Sequence, residues 1–350
     1  MTAKHQRIIQ LLEKYDLDGL VIRQISNFAW ATDGAASYIN TATKEGVGTL
    51  LVTKDSRHLI ANNIEMPRFI NEEHLKADGW VCHTHKWEKP SDILTKLSKN
   101  LRLGADVAYP GAMDLSGDLS VFRSYLDENE KDRFRSLSSL CSEAMYEAIQ
   151  VVKPGMTEYQ IAAMLSGAAQ KRGVLPVVNL IATDERIYNY RHPLPTFKEM
   201  DKYAMLVLCG RQKGLVCSLT RLIHFGPLPD ELKKKSEAVA YIDAKMISST
   251  RAGRTVSDVF QITKDAYAKV GFADEWQLHH QGGPAGYDPR EFLAKDGMGI
   301  PIEIGQAYAW NPSITGCKSE DTILVKESCN EILSVINGWP TFSIQIDGQT

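Results

Sequence analysis

Residues 274–291, DEWQLHHQGGPAGYDPRE, constrain the fold more than any other stretch of the 350-residue chain. Three glycines and two prolines fall inside it. Glycine weakens regular structure and proline removes a backbone donor, so no helix or long strand is expected to run through it. Its shape must be imposed by contacts from elsewhere. It is also chemically dense, with His279, His280, Arg290 and flanking acids, and reads as the floor of a functional site.

The length predicts two domains. Hydrophobic residues at 43% and charged residues at 24% fit a soluble globular protein. A net charge of −3 leaves no electrostatic footprint for nucleic acid. The six cysteines are scattered without a CxxC pair, which predicts reduced thiols in a cytoplasmic protein and no structural zinc. The first residues pattern as an amphipathic helix rather than a signal peptide, and no apolar run nears the ~20 residues that span a bilayer, so no membrane association is expected.

The amino-terminal part alternates between the two periodicities. Ile8, Ile9, Leu11 and Leu12 share a helical face over 5–15, and 19–22 reads as a buried strand. Residues 47–53 and 57–61 form two strands about a turn at Lys54-Asp55-Ser56. Helices are predicted over 65–76 and 90–100, and a strand over 104–109. This α/β alternation marks a first domain of residues 1–130, and the turn-rich stretch 111–132 is its boundary. A long helix is predicted over 132–151. In 153–173, Thr157 followed by Gln160 carries a capping-box signature. An echo at 251–271 repeats the glycine turn, threonine, apolar helix and closing glycine. Strands are predicted at 176–182, 203–209 continuing to 223, 306–310 and 322–326. The second domain, 131–350, therefore reads as an internal duplication with a site between its halves.

Several residues offer chemistry. His192, in YNYRHPLPT (188–196), sits on a loop that Pro193 and Pro195 keep extended. It is either a positioned acid–base group or a loop histidine with a structural hydrogen bond. Arg191 beside it is either a carboxylate clamp or solvated. In an extended segment, His279 and His280 would point to opposite sides, so at most one is expected to face a given pocket. Arg290 with Glu291 reads as an ordinary surface pair or as part of the site. Glu320, before an apolar strand, either faces water or needs a buried partner. Arg221 lies in an apolar strand pattern, where it is a site residue or snorkels to the surface.

Together these stretches resemble the creatinase and Xaa-Pro aminopeptidase family (M24), over nearly the whole chain. The resemblance implies an α/β (α+β) fold, with a creatinase-type amino-terminal domain followed by a pita-bread domain built as a pseudo-twofold repeat. The family's metallopeptidases hold two metal ions with two Asp, one His and two Glu. In this chain LVLCG puts Leu208 at the first Asp, CSLTR puts Ser218 at the second, GGPAG puts Gly283 at the histidine, and AWNPS puts Asn311 at the first Glu. Only KSEDT keeps its ligand, Glu320. One carboxylate cannot hold two hard dications, so no metal and no other cofactor is expected.

By the same resemblance, His192 matches the acid–base histidine of creatinase, and His279 matches a second pocket histidine. Glu320 matches a carboxylate that binds a guanidinium-type substrate. Arg290 falls where many aminopeptidases have a further histidine, and creatinase's glutamate on the second strand is Thr220 here, which departs from creatine as substrate. The expected catalytic set is His192, His279 and Glu320. Tyr190, Arg191, Arg221, His280, Arg290, Trp310 and Asn311 are expected to contact substrate. The implied function is metal-independent hydrolysis of a C–N bond in a small polar molecule. A degenerate peptide- or ligand-binding protein is the alternative, and a metallo-aminopeptidase or prolidase is disfavoured by the missing ligands. The family also implies a homodimer in which one subunit's amino-terminal domain, through 27–46, roofs the other's site.

Overall fold

A computed structural model describes residues 2–346. The chain divides into two units, the first closing at Arg123 and the second opening at Ser124.

The first unit is built on a six-stranded mixed sheet in the order Val81–His85, Arg57–Asn62, Glu45–Thr53, Gly19–Gln24, Leu103–Ala105, Met113–Asp114. Its central strands bury Leu20, Val21, Ile22, Leu50, Leu51 and Val52 completely. Such unbroken apolar runs are what a sheet covered on both faces requires. The hairpin about Lys54-Asp55-Ser56 forms as read, with Thr53 N–H donating to the Ser56 carbonyl. The helices are shorter than their patterns suggested. Met66–Asn71 ends ahead of His74, which has φ 57°, and Ile93–Leu97 ends ahead of Asn100 at φ 66°. Left-handed residues cannot continue a right-handed helix. The strand expected over 104–109 stops at Ala105, because the buried Asp106 turns its carboxylate back to the N–H groups of Arg23 and Gln24.

The second unit opens with a helix at Glu128–Val151, earlier than the pattern indicated, because Asp127 and Glu130 form a capping box. Thr157 caps Glu158–Gln170 and Thr255 caps Val256–Lys269 with the same reciprocal geometry. Antiparallel strands follow each capped helix. The first set is Leu175–Thr183, Tyr203–Gln212 and Leu215–His224. The second is Gly282–Ala285, Ala307–Trp310, Asp321–Leu324 and Glu331–Ile332. The echo in the sequence is thus a repeated helix-then-sheet unit. The two sheets meet along one seam. There Thr220 bridges Glu320, and the Thr322 hydroxyl donates to the Ser218 carbonyl at 2.9 Å while accepting from the Ser218 N–H at 3.1 Å. A shared core that includes Val207, Ile242, Val259, Tyr267, Tyr308 and Ile323 lies beneath it.

The 274–291 stretch is pinned between these elements as its composition demanded. A short 3-10 turn, Glu275–Leu278, gives way to Gly282 at φ 105° and to the strand Gly282–Ala285. A Cβ on Gly283 would lie 2.2 Å from the Phe292 carbonyl oxygen, a backbone atom that cannot swing aside. Gly283→Ala is therefore expected to destabilise the unit by roughly 1–3 kcal/mol, as overpacking does. Gly299→Ala, where nothing lies within 4 Å of the added methyl, should stay within about 0.5 kcal/mol of the parent. Paired calorimetric scans of the two variants check this; equal stability would mean that the Phe292 backbone yields.

Candidate active site

The loop carrying His192 is held from below. Glu158 is buried, and its carboxylate accepts from the N–H and hydroxyl of Thr183, the N–H and hydroxyl of Thr196, and the Arg186 guanidinium. Four neutral donors and a cation on one carboxylate fix both ends of the loop. Arg191 then ties the loop to the 3-10 turn: its guanidinium donates to Glu275 at 2.7 Å and to the Thr315 hydroxyl at 3.0 Å. Glu275 also accepts from the Thr315 N–H at 2.9 Å. Arg191 was expected to hold a substrate carboxylate; Glu275 already supplies one, so here it sets the spacing between His192 and the segment carrying His279.

The result is a trio of imidazoles. Nε2 of His192 and Nε2 of His279 are 3.0 Å apart. The ring of His280 lies 4.4 Å from that of His279 and 5.5 Å from that of His192. Both neighbouring histidines therefore face one pocket, contrary to the alternation expected of a strand. The chain is not a regular strand there: it leaves a 3-10 turn at His279 and bends again at Gly282. Beside the trio lies a cavity of about 450 Å³, walled by Phe260, Trp276, Leu278 and Leu293.

Burial and adjacent cations hold these rings neutral. His279 is buried, and desolvation, reinforced by Lys318, lowers its pKa to about 2. Desolvation and Arg290 lower His280 to about 4. His192, exposed at the rim, is also lowered, by desolvation and then Lys318. Two neutral imidazoles 3.0 Å apart share one hydrogen bond, with one ring donating Nε2–H to the lone pair of the other. Nδ1 of His279 and Nδ1 of His280 have no partner.

The cations belong to a second cluster on the seam. Glu320 is buried, and its carboxylate accepts from Lys318 Nζ at 2.8 Å, Arg290 at 2.8 Å and the Thr220 hydroxyl at 2.5 Å. Burial alone would raise its pKa, but Lys318 and Arg290 outweigh that and hold it far below the carboxylate range. Arg290 also donates to the Ser218 hydroxyl at 3.0 Å. One guanidinium thus spans Ser218 and Glu320, two of the positions that the family resemblance expects to carry carboxylates. The strand register places Cys209, not Leu208, opposite Ser218, with the Ser218 hydroxyl 3.2 Å from the Cys209 sulfur. Leu208 faces the other side of the strand pair, across from Leu219. Lys318, which the sequence reading does not count among the site residues, ends the short strand Cys317–Lys318, and its ammonium reaches the Glu320 carboxylate two residues on.

These residues do not fit a pair of divalent ions. Gly283 has no room for a side chain, and Ser218, Cys209 and Asn311 offer neutral groups or, in the thiol, one that burial pushes up to about 11.

Other expected site residues lie elsewhere. Trp310 is core: it is 1% exposed, stacks on Tyr308, and donates its indole N–H to Thr250. Asn311 follows it into the interior, with its amide oxygen unpartnered. Arg221 neither snorkels nor reaches the imidazoles; it pairs with Asp321 at 2.8 Å and donates to the carbonyls of Thr220, Glu320 and Ser334. Tyr190 is exposed and packs under Arg186.

Comparison with known proteins fits this architecture. The model for metallopeptidase family M24 matches residues 132–327, and that for the creatinase/prolidase amino-terminal domain matches 4–144. An uncharacterized peptidase of Staphylococcus haemolyticus is 24% identical over 233 residues, 63% of this chain and 65% of that protein. The chain thus aligns with just under two thirds of the length of that relative. Among solved structures, the prolidase from Pyrococcus horikoshii OT3 superposes with a TM-score of 0.81 at 18% identity, covering 96% of this chain and 99% of that one. The Xaa-Pro dipeptidase from Bacillus anthracis gives 0.79 at 18%, over 97% and 98%. At such identities the likeness is one of fold. With more than half of its residues matched by the family model, the chain belongs to metallopeptidase family M24.

Proposed function

We propose that this protein hydrolyses a C–N bond in a small polar substrate without a metal pair, using His192 and His279 as the proton-handling groups. The observation that carries the reading is the 3.0 Å contact between two imidazoles that burial and Lys318 keep neutral, at the edge of a cavity. A neutral imidazole is a competent base for water. In the proposed reaction His192 takes a proton from water as the oxygen attacks the substrate carbon. The proton then passes to the leaving nitrogen, the C–N bond breaks, and an acid and an amine are released. His279, hydrogen-bonded to the same ring, holds its orientation and its proton. The relatives bearing peptidase, prolidase and dipeptidase names suggest an amide or peptide bond as the first substrate class to test. The absence of room at Gly283 and the cations on Glu320 support chemistry that does not rely on two metal ions.

Glu320 takes a different part from that first assigned. Both of its oxygens are engaged by the chain's own groups, so it positions Lys318 and Arg290 rather than receiving a substrate cation. That saturation, with Arg191 closed by Glu275, also favours a second reading: a ligand-binding protein without turnover. A screen of dipeptides, amides and amidino compounds separates the two, since tight binding without products supports the second.

His192→Ala is expected to lower turnover by at least 10²-fold, the usual contribution of a general acid–base group. EDTA should leave the rate unchanged; loss in EDTA with recovery in manganese or cobalt would overturn the proposal. The pH profile supplies a further check. The base must be neutral to act, and its pKa in the folded protein is below the ordinary ~6.5, so the acid limb of kcat/KM should fall below that pH. An acid limb above 7 would contradict the assignment.

A further inference from the structure

The second unit holds another cavity, of about 540 Å³, with no part in the reaction above. Its size lies within the range of small-molecule sites, roughly 300–1,000 Å³. The helix Asp230–Ser249 forms one side and residues 339–346 cross another. Its walls are mostly apolar, with Val239, Ile247, Ile332, Trp339, Phe342 and Ile344 contributing.

Arg221, Arg251, Lys318, Asp321 and Asp243 bring charge to the same wall, and Asp243 differs from the rest in its hydrogen bonding. It stands on that helix, lines the cavity and is 6% exposed. One carboxylate oxygen accepts from the Ser319 hydroxyl; the other, Oδ1, has no hydrogen-bond partner. An unpaired buried carboxylate is costly, and its free oxygen calls for a donor, best a cation. The charged neighbours do not supply it. Arg221 is matched by Asp321, and Lys318 by Glu320. Arg251 turns its guanidinium to the carbonyls of Ser248 and Ser328.

We infer that this cavity is a binding site for a small hydrophobic amine, with the ammonium on Asp243 Oδ1 and the apolar body among Val239, Ile247, Trp339 and Phe342. Desolvation and the nearby Asp321 carboxylate raise Asp243 to about 7, so near neutral pH the empty site holds it about half protonated, and an ammonium on Oδ1 would draw it into the ionised form. The cavity shares Thr220 and Lys318 with the Glu320 cluster, which places the bound amine one side chain away from the seam. The inference does not depend on the hydrolytic reading.

Calorimetric titration of the full-length protein with 2-phenylethylamine, 2-phenylethanol and 3-phenylpropionate tests it. The amine should bind at least tenfold more tightly than the alcohol, and the carboxylate least. Asp243→Asn, which keeps an acceptor for Ser319, should abolish the preference for the amine. Ala244→Leu, which extends a half-buried helix residue into the cavity, should weaken the amine and the alcohol together and serves as the second variant if Asp243→Asn fails to fold. Equal affinity for amine and alcohol, no measurable binding of the amine, or undiminished amine binding by Asp243→Asn would each overturn the assignment.

Discussion

The buried carboxylate of Glu320, shared by Lys318 and Arg290, sits where the two halves of residues 124–346 join. Taking any one of these ions out of water costs several kcal/mol, and a pair recovers that only with good geometry and satisfied hydrogen bonds. The geometry here is good: three donors lie within 2.8 Å of one carboxylate, two of them cationic. Each contributor comes from a different piece of chain. Thr220 lies in the first sheet, Arg290 follows the strand Gly282–Ala285, and Lys318 ends a short ribbon beside Asp321–Leu324. The cluster therefore fixes the register of the seam as well as the charge at it.

Its charge reaches the imidazoles. Two cations against one carboxylate leave an excess positive charge, and the same cations that hold Glu320 ionised disfavour protonation of His192, His279 and His280. Burial acts in the same direction on the rings, so the two effects add. The exposed ring, His192, is the one that meets solvent, while His279 lies behind it.

Much of this was legible in the sequence because local rules governed it. The capping box read at Thr157 forms, and the threonine of the echoing stretch, Thr255, proves to cap its helix in the same way. The glycines and prolines of 274–291 mark an irregular segment, and it is one. The errors arose where tertiary contacts overrode local pattern. His279 and His280 were separated by strand alternation, but a 3-10 turn and Gly282 put both rings on one side. Trp310 and Arg221 looked available because motif position says nothing about depth; one is core and the other is closed by Asp321. Lys318 was visible in its spacing from Glu320, but only the fold shows that both face inward.

The register of one hairpin decides which side chain of its first strand faces Ser218. Tyr203–Gln212 pairs with Leu215–His224 without a bulge, so residues facing one another are set by the turn at Lys213-Gly214. A one-residue change in that register flips every side chain to the other face. Counting from the glycine at 210 selects Leu208, whereas counting across the hairpin from Ser218 selects Cys209. Only the second count is a statement about space, and it puts a neutral thiol beside the serine that Arg290 contacts. At the seam the Arg290 guanidinium reaches both Ser218 and the buried carboxylate of Glu320, with the Cys209 thiol beside that serine.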